Sequence, residues 1–259
     1  MKHEDSAKSL TGRTALIAGA SSGIGAHFAH VLASAGARVV LGARRIDRVT
    51  ALAAEITASG HQALAVSLDV TDEASVIAAY DAAEARFGTV NAVVANAGTG
   101  TGGRATDVPA DGLSAVIDTN LLGTYLVARE GARRMIASGT GARGDGRMVL
   151  IGSITADRTG MGDTLYAATK AAIAHLARNL AREWIRQGIN VNTLQPGIIP
   201  TEANAVWFAT ERGQADIAGL HRRRLLDSDA LDDMLLYLLS DRSRQVTGAT
   251  FTIDDGQSL

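Results

Sequence analysis

The chain has 259 residues, 46% of them apolar and 20% charged, enough to bury the core of one large domain or two small ones, and we read one. Its formal net charge of −2 gives no global electrostatic reason to expect a nucleic acid or an anionic membrane surface as partner, and no apolar run approaches a membrane span. The absence of cysteine excludes disulfides, thiol catalysis and cysteine-ligated metals, and it is compatible with a reducing cytoplasm, the compartment we expect.

In chain order, residues 1–10 are polar, of mixed charge and without an apolar signal-peptide core, so they read as a lead-in to a domain over 11–259. Apolar, β-prone runs follow at 14–18, 38–42, 62–68, 92–95, 147–151, 190–194 and 250–253, with an alanine-rich helical stretch in each gap. Thr71 and Asp229 stand where two of these helices would be capped. The glycine-dense run 138–146 reads as a flexible surface loop. Strands alternating with crossover helices predict an α/β fold: an open, doubly wound parallel sheet of about seven strands flanked by helices, its ligand crevice at the carboxyl ends of the strands.

The first strand breaks into Gly19-Ala20-Ser21-Ser22-Gly23-Ile24-Gly25 and then a helix. Glycines there permit a tight bend and close backbone approach, and the following helix offers its N-terminal amides to a pyrophosphate. After the second strand come Arg44 and Arg45, where a site built for NAD would place an acid on the ribose 2′-hydroxyl. Two guanidiniums suit a 2′-phosphate, so NADP(H) is favoured with NAD(H) as the alternative, and Arg44 is the stronger candidate of the pair. Asp69 and Val70 end the third strand, where Asp69 either meets an adenine edge or orders nearby backbone. Asn96-Ala97-Gly98 end the fourth, where small residues let a dinucleotide cross closely.

Tyr166 and Lys170 lie four residues apart, hence on one helix face, and a cation beside a phenol favours its phenolate. That is acid/base chemistry near neutral pH, and Ser153 precedes it after the fifth strand. His27 and His30 have no third ligand type nearby, so no metal site is expected. Trp207 and Phe208 either line an apolar substrate pocket or pack beneath a lid, and His221 to Arg224 read as a solvated or subunit-facing basic run.

Together, Gly19-x3-Gly23-x-Gly25, Asp69, Asn96-Ala97-Gly98, Asn120, Ser153, Tyr166-x3-Lys170 and Pro196-Gly197 with Thr201 resemble, in order and separation, the short-chain dehydrogenase/reductase family across nearly the whole chain. The resemblance implies a single Rossmann-like domain and an NADP(H)-dependent oxidoreductase moving hydride between nicotinamide and a carbonyl or secondary alcohol. It also implies roles for single residues. Ser153 would hydrogen-bond the substrate oxygen, Tyr166 would exchange its proton, and Lys170 would hold the nicotinamide ribose and lower the tyrosine pKa. Asn120 would anchor a water leading from Lys170 to solvent. Pro196, Gly197 and Ile199 would pack beside the nicotinamide, whose carboxamide Thr201 would bind. A substrate lid would lie around 200–224, and helices around 113–137 and 164–187 would build a homodimer or tetramer. Ala18, Ala95 and Asp255 depart from the family's common threonine, asparagine and glycine. An NAD-linked alcohol dehydrogenase, a non-catalytic NADP(H)-binding regulator and an interaction protein are the rival readings, and the substrate is open.

Overall fold

The structure is a computed structural model that describes residues 9–259, so most of the lead-in expected over 1–10 lies outside the described residues. Seven parallel strands form one sheet in the order β3-β2-β1-β4-β5-β6-β7. They are β1 Thr14–Ala18, β2 Arg38–Ala43, β3 Ala63–Ser67, β4 Ala92–Ala95, β5 Gly146–Ile151, β6 Ile189–Pro196 and β7 Thr250–Ile253. The expected strands 14–18, 92–95 and 250–253 are reproduced to the residue, while β6 runs farther at both ends.

The inner strands are buried along almost their whole length because the sheet is covered on both sides; β1, β2, β4 and β5 are mostly apolar, whereas β6 also buries Asn190 and Asn192, which donate to the carbonyls of Ser243 and Val246. In β1, Ala15 and Ile17 face one hydrophobic cluster and Leu16 and Ala18 the other. The first cluster is completed by α1 (Gly23–Ser34), α2 (Ile46–Ala58) and α9 (Asp232–Leu239). The second is completed by α3 (Glu73–Phe87), α5 (Thr124–Ala137) and α6 (Thr164–Trp184).

Two crossovers are more divided than the sequence suggested. The fourth is α4 (Ala110–Ile117), a π-helical turn over Asp118–Gly123, and then α5. A Cβ at Gly123 would stand 2.5 Å from Val70 Cγ2, so the widened turn seats its backbone directly on the start of the third crossover. The last crossover carries α7 (Ala205–Phe208) and α8 (Glu211–Gly219) before α9.

Both expected caps are corrected. Asp72, not Thr71, caps α3 by accepting from Ala74 N–H at 2.9 Å, because Thr71 is turned back onto Asp69. Asp229 sits a turn before α9 and offers only its backbone carbonyl to Asp232. The glycine-dense run 138–146 is also more tightly held than a loop reading implies. Arg147, 1% exposed, donates to the carbonyls of Gly144, Gly146 and Ser240, and Arg13 donates to the carbonyl of Asp145.

Candidate active site

The order of the strands reverses between β1 and β4, and the residues expected to hold a cofactor converge there. Gly19 adopts φ +83°, and a Cβ on it would stand 2.7 Å from Ala97 Cα. A Cβ on Gly25 would stand 2.2 Å from the Gly19 carbonyl oxygen. Only glycine fits at either place. Asn96 Nδ2 donates to that carbonyl at 3.0 Å, tying the end of β4 to the turn after β1. Ser22 begins α1 with no side-chain cap and no acid in the first turn, which leaves the helix N-terminus open to an anion.

A cleft of about 660 Å³ runs from this turn across the sheet edge. Gly19, Ser21, Ser22, Gly23 and Ile24 line it near α1, Arg44, Arg45, Asp69 and Val70 at one end, and Asn96, Ala97 and Gly98 in the middle. Arg45 donates to Ser21 Oγ at 2.8 Å and to Ser22 Oγ at 2.7 Å, so it braces the glycine turn, whereas Arg44 faces the cleft and helps hold the Asp69 carboxyl below its usual range. The larger cause of that shift is local. Asp69 Oδ1 accepts from Thr71 N–H at 3.0 Å and from Thr71 Oγ1 at 2.8 Å, which is the backbone-ordering alternative of the sequence reading.

At the opposite end of the cleft, α6 presents Tyr166 and Lys170. Lys170 is 4% exposed; its Nζ donates to the Ile151 carbonyl at 2.8 Å and stands 5.6 Å from the Tyr166 ring centroid. Burial alone lowers its pKa to about 8. The Tyr166 phenol is raised above its ordinary value, first by burial and further by Asp163, with a hydrogen bond from Ser153 acting the other way. Lys170 is not among the causes of that shift in the protein alone. The amine is itself desolvated and its proton is directed at a backbone carbonyl.

Ser153 follows β5 in extended backbone, and its Oγ accepts from Thr155 N–H at 3.2 Å and from Thr155 Oγ1 at 3.0 Å. Asn120 is fully buried in the π-helical turn and lines neither cleft. It accepts from Thr99 N–H at 2.8 Å and donates to the Thr99 carbonyl at 2.9 Å and to Thr169 Oγ1 at 3.1 Å, which fixes the loop after β4 against α6.

A second cleft, of about 780 Å³, adjoins the first. Tyr166, Ile24, Pro196 and Thr201 border both, so the phenol stands at their junction. Ser153, Gly197 and Ile199 face only the second cleft, and so do Trp207 and Phe208, which resolves their two readings in favour of lining a pocket. Arg158 also lines it, a residue that sequence reasoning passed over because nothing local marks an exposed arginine on a loop.

Two further contacts were invisible in the sequence. Gln257 accepts from Ile198 N–H at 2.6 Å, and the Gly197 N–H donates to the Ile253 carbonyl at 2.9 Å, so the C-terminal segment fixes the Pro196–Gly197 turn. Asp255 has φ +53°, a conformation that favours glycine, and it pairs with Arg222 at 3.0 Å and Arg224 at 2.9 Å. The basic run is therefore neither a free patch nor part of either large cleft. His27 bonds to Asp232 at 2.8 Å, and no acidic or histidine cluster able to hold a metal occurs among the described residues. No helix among them is long and apolar enough to cross a membrane.

The family described as enoyl-(acyl carrier protein) reductase matches residues 19–258. The oxidoreductase UcpA of Escherichia coli is 36% identical over 261 residues, covering 96% of each chain. The cis-4-hydroxycyclohexanecarboxylate dehydrogenase of Sinomonas cyclohexanicum is 36% identical over 251 residues, covering 94% of this chain and 96% of that one. A gluconate 5-dehydrogenase from Burkholderia cenocepacia, solved with NADP and tartrate, superposes with a TM-score of 0.91 at 33% identity over 99% of each chain. With a family match over residues 19–258 and whole-chain likeness in sequence and in fold to oxidoreductases of this kind, the protein belongs to the short-chain dehydrogenase/reductase family of oxidoreductases.

Proposed function

We propose that the protein is an NADP(H)-dependent oxidoreductase acting between a carbonyl and a secondary alcohol, with Tyr166 as its general acid and base. The observation that carries this reading is the position of Tyr166 at the junction of two clefts, one lined by an anion-accepting glycine turn and the other mostly apolar. The glycine cradle, the open N-terminus of α1 and the arginines beyond β2 suit a phosphorylated dinucleotide. Such a cofactor supplies or accepts the hydride when bound.

The chain's own residues do the rest. Ser153 donates to the substrate oxygen, which orients the reacting carbon beside the phenol. Tyr166 gives its proton to that oxygen in reduction and takes it back in oxidation. With the cofactor bound, Lys170 would hold its ribose and stabilise the phenolate, and Asn120, itself buried, would anchor a water that returns protons from solvent. Pro196, Gly197 and Ile199 would wall the site beside the nicotinamide, Thr201 would hold its carboxamide, and the segment 200–224 would cover the substrate. The NADP in the gluconate 5-dehydrogenase structure and the ring alcohol in the name of the Sinomonas relative support the cofactor and the secondary alcohol. A protein without cysteine suits a reducing cytoplasm.

The test is a turnover assay with NADPH and NADH over a mixed panel of carbonyls and alcohols. NADPH is expected to be preferred, with Arg44→Ala removing most of the preference. An unchanged ratio would transfer the reading to an NAD-linked dehydrogenase. Tyr166→Phe is expected to cut kcat by about 10²–10⁴-fold while the cofactor still binds. Full activity in that variant would remove tyrosine from the mechanism, and cofactor binding without turnover of any panel member would favour a regulator.

A further inference from the structure

The second cleft is walled mainly by apolar side chains, among them Ile154, Trp207, Phe208 and Leu220, and Arg158 is the only basic residue that lines it. Its backbone is fixed: Arg158 N–H donates to the Ile154 carbonyl at 2.9 Å, which closes the turn that starts at Ser153. Its side chain is different. No hydrogen bond, ion pair or ring contact engages the guanidinium among the described residues, although Asp163 and Asp216 line the same cleft. Asp216 is taken by Trp207 Nε1 at 3.2 Å, and Asp163 begins α6, where it acts on Tyr166.

A solvent-accessible fork of donors with no protein partner among the described residues, at the edge of a mostly apolar cleft, suits a planar anion. Resting on the reading of Tyr166 as the acid/base, we propose that the substrate is a hydroxy or oxo acid whose carboxylate is bound by Arg158 while its reacting oxygen lies between Ser153 and Tyr166. Asp163 and Asp216, which line the same cleft, bear on the charge it accepts. They repel a doubly charged phosphate more strongly than a singly charged carboxylate, so a carboxylic acid is selected over a phosphate ester. Arg158 is then a specificity residue, and its contribution falls on binding, because the carboxylate carries the same charge before and during the reaction.

Steady-state kinetics with the full chain and its preferred cofactor test this over a set of 2-, 3- and 4-hydroxy acids, each paired with its methyl ester and, for one member, a phosphate ester. Wild type is expected to favour the best acid over its ester by about tenfold or more in kcat/KM. Arg158→Gln should abolish that preference through KM, and Arg158→Lys should retain part of it. No preference in wild type, equal losses on acid and ester in Arg158→Gln, or a phosphate ester preferred over the acids would overturn the assignment. Quenching of Trp207 fluorescence by cyclohexanecarboxylate, against its neutral amide, reads binding without turnover. If no alcohol or carbonyl reacts, the catalytic reading fails on its own, and tighter binding of the carboxylate that is lost in Arg158→Gln still decides the role of Arg158. Equal binding of acid and amide would end it.

Discussion

Lys170 is held in the interior as an amine that costs stability when protonated. Its pKa falls from 10.5 in the unfolded chain to about 8 in the folded protein. The native state therefore binds fewer protons than the unfolded state between those values, and stability rises with pH across that window. Below the folded pKa both states are charged and the full burial cost of about 3 kcal/mol applies. Lys170→Met removes this cost but leaves the Ile151 carbonyl without its donor, a loss of about 1–3 kcal/mol. The cofactor-free variant should thus be more stable than wild type at neutral pH by about 1 kcal/mol, or roughly 2–4 °C in Tm. That advantage should shrink, then reverse, as pH is raised through the alkaline window. A variant less stable than wild type at pH 7 by a margin that stays constant as pH is raised, measured by urea titration, would mean the lysine is not strained by burial. Tyr166, Lys170 and Ser153 were legible in the sequence because their geometry follows from a helical repeat and a strand end. The direction of the tyrosine shift was not legible, since burial outweighs a partner only the fold can position. Arg158 and Gln257 were missed for a related reason: what each one faces is assembled by tertiary structure.

At the scale of elements, the glycine-dense run before β5 behaves as a packed joint. A Cβ on Gly141 would stand 1.9 Å from the Gln187 carbonyl oxygen, and a Cβ on Gly188 would stand 1.8 Å from the Gly141 carbonyl oxygen. These are backbone atoms, so neither clash is relieved by turning a side chain. Gly141→Ala should therefore lower stability by about 1–3 kcal/mol. Gly219→Ala, at the end of α8, meets nothing within 4 Å and has ordinary φ, so it should change stability by less than about 0.5 kcal/mol. Equal urea midpoints for the two variants would show that the joint yields. The sequence offered turn chemistry at 138–146 but could not reveal that two glycines 47 positions apart meet backbone to backbone. The π-helical turn was hidden in the same way. Residues 110–137 carry one continuous helical pattern, and the widening around Asn120 follows from its bonds to Thr99 and Thr169, which come from other elements.

For the molecule as a whole, the strands were the most legible feature because a parallel sheet covered on both faces favours apolar runs, although β6 alternates Ile189 and Val191 with buried Asn190 and Asn192. What covers the outside of the helices is a separate matter, and there we extend the proposal to assembly. Leu122 and Tyr125 lie on one face of the π-helical turn and α5, with Ile117 before them and Ile136 beyond, and they are 42%, 37%, 41% and 46% exposed respectively. Arg129 stacks on Tyr125 at 5.8 Å and pairs with Glu73, which holds the ring in place and gives the apolar face a charged border. Apolar centre and polar rim are the composition of a subunit contact, and a two-fold axis through it would bring each of these side chains against its own copy. The mass in solution should accordingly be a multiple of the 26.8 kDa chain, a dimer or a tetramer, by light scattering. Leu122→Glu combined with Tyr125→Glu should lower that mass by at least half, because like charges would face each other across the axis in a site with little water to screen them. A wild-type mass equal to one chain would remove the assembly proposal, whereas an unchanged multiple in the double variant would move the contact to another face. The helical content of the double variant, read by circular dichroism, separates dissociation from unfolding: both substituted positions are already partly solvated in a single chain, so the charges are costly only where a second subunit covers them.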